Sequence, residues 1–96
     1  MAKGYFIANI DITDMDSYAK YREKVPATVE QFGGTYLVRG GPLESIEGDA
    51  PRARSVVLEF ASVEHAKAWY NSDEYQAIVH LRLNASTGSA FVVEGI

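Results

Sequence analysis

"GGTYLVRGGPLESIEGDAPRARSVVLEF", residues 33–60, contains two runs of β-branched and aromatic residues, 35–39 and 53–60, around a stretch of glycine, proline and acidic residues. Each run alternates as a strand does, and "GDAP" at 48–51 supplies turn residues between them, so the pair reads as an antiparallel hairpin. Upstream, Tyr18, Tyr21, Val25, Val29 and Phe32 recur at spacings of three and four, the stripe of a helix with one buried face. Thr13 or Asp14 is its N-cap and Gly33-Gly34 its end, while Pro26 predicts a kink or break. Before that helix, "YFIANIDI" at 5–12 reads as a strand. Downstream, Ser62 caps a helix carrying Val63, Ala66, Trp69 and Tyr70, and Ser72 caps a further piece carrying Tyr75, Ile78, Val79 and Leu81. "SAFVVEG" at 89–95 closes with a strand. The order β-α-β-β-α-β predicts an α+β, ferredoxin-like fold: four antiparallel strands in spatial order four-one-three-two, with both helices on one face.

Ninety-six residues are room for a single domain, 1–96, with 47% hydrophobic and 23% charged side chains, a globular composition. Nine basic against thirteen acidic residues leave a charge of −4, and the basic residues are scattered, which argues against a nucleic-acid partner. The absence of cysteine removes thiolate metal sites and disulfides and fits a reducing, cytoplasmic setting. The start lacks a secretory layout, and the apolar runs are too short for a membrane span. The two histidines, His65 and His80, have no HxH or HxxxH spacing, so no metal is expected. Glycine-rich phosphate loops, a GxGxxG after a strand and a GxSxG elbow are all missing, so no cofactor is implied. An RNA-recognition module shares the element order, but "RSVVLEF" lacks its stacking aromatics and glycine.

Alternation assigns Phe6, Ala8, Ile10, Tyr36, Val38, Val56, Leu58, Phe60, Phe91 and Val93 to the helix-covered face of the sheet. The opposite face then holds Tyr5, Ile7, Asn9, Leu37, Arg39, Ser55, Val57, Glu59, Val92 and Glu94, which is too apolar for water. A second copy stacking the same face would cover it as a symmetric homodimer. If the hairpin turns at 48–51 and Gly40-Gly41 absorbs one residue as a bulge, Arg39 lies opposite Glu59 and pairs with it.

The stretches "GGTYLVRGG", "VVLEFAS", "AWYNSDEYQ" and "VVEG" together resemble the domain of unknown function 1330 family over nearly the whole chain. The resemblance implies a ferredoxin-like domain pairing into a dimeric α/β barrel, similar in architecture to antibiotic-biosynthesis monooxygenases and YCII-like proteins, with no settled activity. Ala61 in "EFAS" departs from the pattern, where proline is expected.

The expected function is therefore a small homodimeric barrel that binds a small organic molecule in a cavity near the sheet, with cofactor-independent oxygenase or isomerase-like chemistry. The alternative is a non-enzymatic dimer module without a ligand. Arg39 and Glu59 form either a structural ion pair or a ligand-binding pair, since a planar guanidinium grips carboxylates in bidentate fashion. Asn9, Trp69 and Tyr75 complete the ligand-binding set, with the aromatics serving equally well as core. His80 and Glu59 are the catalytic candidates, His80 for its near-neutral pKa and its position near a cleft, against the plainer reading of a solvent-facing helix residue.

Overall fold

The structure, a computed structural model, describes residues 2–96. Its elements run β1 (Gly4–Ile12), α1 (Met15–Gln31), β2 (Thr35–Arg39), β3 (Arg54–Phe60), α2 (Val63–Tyr70), α3 (Asp73–Leu83) and β4 (Ser86–Glu94). The strands form one antiparallel sheet in the order β2-β3-β1-β4, the ferredoxin-like arrangement expected from the order of elements. No helix is long and apolar enough to cross a membrane among the described residues.

Local chemistry sets the helix ends. Asp14 caps α1 by accepting from the Ser17 amide, and Ser62 and Ser72 do the same for the amides of His65 and Tyr75. Beyond the other end of α1, Gly33 takes φ 74°, which lets its amide bond to Glu30 and the Gly34 amide to Val29. The helix does not break at Pro26. A proline inside a helix costs about 3 kcal/mol, and the buried stripe of Tyr18, Tyr21, Val25 and Val29 on both sides outweighs it.

The core lies between the sheet and the helices, where Trp69, Tyr75, Phe60, Ile10, Leu58 and Val29 are the largest fully buried side chains. Trp69 packs on Phe6 and Tyr75 with ring centroids 5.0 Å and 4.1 Å away, and its indole N–H donates to Thr28 Oγ1 at 3.0 Å.

Two strands depart from simple alternation. In β2 the pairing is Tyr36 with Leu58, then Val38 with Val57 and Arg39 with Val56, so the bulge sits at Leu37 and not at Gly40-Gly41. One extra residue inverts the faces beyond it: Val38 joins the open face and Arg39 the helix-covered one. Glu59 stands opposite Thr35 and Tyr5, on the other side of the sheet from Arg39, and the expected Arg39–Glu59 pair does not form. In β4, Val92 pairs with Phe6 and packs against the core, whereas Phe91 and Val93 pair with Ile7 and Tyr5 and are 50% and 44% exposed. Here the two faces are the reverse of those expected. The hairpin, too, is wider than a tight turn, with residues 40–53 forming a long exposed connection between β2 and β3.

Candidate functional site

Between α1 and the helix-covered face of the sheet lies a narrow slot of about 30 Å³. Its floor is apolar, made by Phe6, Ala8, Ile10, Val56 and Leu58, with Tyr18, Tyr21, Val25 and Tyr36 along the sides. Arg22, Arg39, Arg54 and Arg82 complete the lining. Three of them, Arg22, Arg39 and Arg54, also border a wider groove of about 600 Å³, together with Ala19, Lys20 and Glu23.

Each element brings its arginine there for a local reason. Arg22 lies one residue beyond Tyr21 on the edge of the buried stripe of α1, Arg54 begins the alternation that continues through Val56 and Leu58, and Arg39 is turned inward by the bulge. Arg82 follows Tyr75, Ile78 and Val79 at the next step of the buried stripe of α3, and is only 6% exposed.

Aromatic side chains hold three of these four guanidinium groups. Arg39 sits 4.7 Å above the Tyr36 ring. Arg54 donates from Nε to Tyr18 Oη at 3.0 Å and lies 5.3 Å from that ring. Arg82 donates from Nε to Tyr75 Oη at 3.4 Å, and Tyr75 in turn shares a 2.8 Å hydrogen bond with Tyr21. Among the described residues the one ion pair is Arg52–Asp11, which borders neither slot nor groove.

Burial pushes the Tyr21, Tyr75 and Tyr36 phenols above the usual tyrosine range, with Arg82 opposing the shift at Tyr75 and Arg39 at Tyr36. All three stay neutral at physiological pH. Burial works against the charge on Arg82, but the facing Tyr75 and Tyr21 oxygens more than offset it and hold its pKa above the ordinary value. The slot is thus a site of fixed positive charge and neutral hydroxyls over an apolar floor. Among the described residues, no histidine or carboxylate lines it.

The residues singled out from the sequence are divided between the two faces. Arg39 borders both slot and groove. Tyr75 lies behind the slot and reaches it through Arg82, and Trp69 is wholly buried in the core. Glu59 is on the open face, where it accepts from Tyr5 Oη at 3.0 Å and raises that phenol's pKa. Asn9 is also there, pinning the end of the long connection: its Oδ1 accepts from the Arg52 amide at 2.9 Å, and its Nδ2 donates to Ser55 Oγ at 3.0 Å and to the Arg52 carbonyl at 3.1 Å. His80 is exposed on α3 and borders neither slot nor groove.

Arg22, Arg54 and Arg82 escaped the sequence reading, yet the signal for Arg82 was present. Its spacing continues the series Tyr75, Ile78, Val79, and a charge on a buried stripe is the anomaly to follow. Nothing in the sequence marked the bulge that turns Arg39.

The family described as "Domain of unknown function (DUF1330)" matches residues 3–96. The chain belongs to this family. No curated protein is similar to it. Among solved structures, a protein of unknown function from Rhodopseudomonas palustris is similar over 97% of this chain and 80% of its own, at 14% identity and TM-score 0.74. A dimeric protein of unknown function and ferredoxin-like fold from Bacteroides fragilis is similar over 97% and 93%, at 10% identity and TM-score 0.60. SnoaB, a cofactor-independent oxygenase from Streptomyces nogalater, is similar over 97% and 92%, at 11% identity and TM-score 0.56. At these identities the likeness is one of fold.

Proposed function

We propose that this chain is a homodimeric α/β barrel protein that binds a small organic molecule in the cleft between α1 and the sheet. The observation that carries the reading is a slot with an apolar floor beside a wider groove, the two sharing Arg22, Arg39 and Arg54 in their walls. Pairing of two copies is supported by the apolar open face of the sheet and by dimeric neighbours of the same fold.

Native mass spectrometry of protein purified from cells tests the binding. A retained molecule of a few hundred daltons, lost on denaturation, is the expected result. Protein with no added mass, and no thermal stabilisation by a panel of small charged and neutral compounds, would overturn it.

Cofactor-independent oxygenase or isomerase-type chemistry is a second reading. It is favoured by the guanidinium groups of the cleft, which suit an organic substrate that enters already as an anion. The ligand-free dimer module is favoured instead by Asn9 and Glu59, whose polar atoms are engaged in internal hydrogen bonds.

A further inference from the structure

The cleft has a charge pattern that narrows what it can hold. On the reading that it binds a small molecule, we infer that the ligand is a small organic acid, its carboxylate gripped by Arg39 and Arg54 at the groove and a slender apolar tail pointing into the slot over its apolar floor.

Charge gives the first argument. Lys20, Arg22, Arg39, Arg54 and Arg82 border slot and groove, against one carboxylate, Glu23, in a chain whose net charge is −4. Cations gathered on one opening against the sign of the whole molecule focus a field that draws anions in. Thirteen acidic residues were available to neutralise them. Among the described residues none forms an ion pair with these arginines.

Geometry points the same way. Arg39 is held through its flat face on Tyr36, and Arg54 through Nε and the Tyr18 ring, so in neither does an internal hydrogen bond occupy the terminal nitrogens. Those nitrogens form the edge that takes a carboxylate by two parallel hydrogen bonds. Gly40 supports the arrangement: a Cβ there would collide with the Arg54 guanidinium, so the backbone is bare where that group packs.

Size and polarity narrow the ligand further. About 30 Å³ is room on the order of two water molecules. Only the end of a slim tail enters, and Phe6, Ala8, Ile10, Val56 and Leu58 offer it no hydrogen bonds. Inorganic phosphate would satisfy the arginines but make no use of that floor.

Isothermal titration of the full chain with sodium hexanoate, hexanamide and inorganic phosphate tests the assignment. Hexanoate is expected to bind at least tenfold more tightly than hexanamide or phosphate, and more weakly as salt is raised. Arg39→Gln, at an exposed position, and Arg54→Gln should each lower hexanoate affinity at least tenfold and leave hexanamide unchanged, with circular dichroism confirming the fold. Equal binding of acid and amide would overturn the anion assignment and leave the cavity reading standing. Phosphate binding as tightly as hexanoate would overturn the organic tail. No binding of any probe, with no retained molecule in the native mass spectrum, would overturn both.

Discussion

Arg82 carries its charge into the core with phenol oxygens where a structural site would place a carboxylate. Taking an ion out of water costs several kcal/mol after relaxation, and here the Tyr75 and Tyr21 oxygens offset that cost. Arg82→Met keeps most of the volume and removes the charge, while Tyr75 Oη retains its partner Tyr21. The melting temperature should therefore stay level. A drop of more than about 5 °C, roughly 1 kcal/mol for a domain of this size, would make Arg82 a structural residue instead. The tyrosines beside it give a pH prediction. Burial raises the pKa of Tyr21 and Tyr75 in the folded state above the ordinary value of 10.0, so above that pH the unfolded chain loses protons that the folded chain keeps. Their stabilising contribution is complete below pH 10 and is lost as the pH rises toward the folded values. Absorbance at 295 nm should show these phenols ionising together with loss of circular dichroism. Early, non-cooperative titration of all six tyrosines would contradict their burial.

At the scale of elements, the end of β2 decides the site. The bulge at Leu37 turns Arg39 toward the helices, and Gly40, at φ 70°, carries the chain past Arg54 while its amide bonds to the Ser55 carbonyl at 2.9 Å. Gly40→Ala adds a left-handed backbone penalty of about 1–2 kcal/mol to a collision with the Arg54 guanidinium. We expect a lower urea midpoint and weaker hexanoate binding. Gly41→Ala, where an added Cβ would meet nothing within 4 Å, is the control and should stay within about 0.5 kcal/mol of wild type. A Gly40 variant as stable as the Gly41 one would remove this account. The same strand marks the limit of what the sequence discloses. Element order, the serine and aspartate caps and the strand order were legible because periodicity and capping are local. The bulge was not, because it depends on how β2 meets β3, and a one-residue slip moves every later side chain to the other face. Arg39 thereby leaves the open face, where Glu59 and Asn9 stand as expected, and independently of the bulge Phe91 and Val92 in β4 occupy the faces opposite to those expected. The stripe through Arg82, by contrast, is local and legible in the sequence.

For the whole molecule, the open face of the sheet is the remaining question. Ile7 and Val57 lie at its centre, flanked by Val38 on β2 and by Phe91 and Val93 on β4, while Tyr5, Glu59, Asn9 and Ser55 satisfy one another or nearby backbone. A surface whose polar groups are already paired and whose apolar groups are bare gains little from water and much from a copy of itself. Wild-type protein should sediment as a dimer at micromolar concentration. Phe91→Glu places a carboxylate in the paired face, where desolvation costs several kcal/mol, and should weaken association by at least about tenfold, or 1.4 kcal/mol. Met15→Glu, a substitution at an exposed position on α1, should leave the dimer intact. Because the cleft lies on the helix side, Arg39→Gln should also preserve the dimer while reducing hexanoate binding, so the two faces separate experimentally. Wild-type protein that remains a well-folded monomer at high micromolar concentration would leave this apolar face bare in water, and the homodimer proposed for this chain would have to be given up.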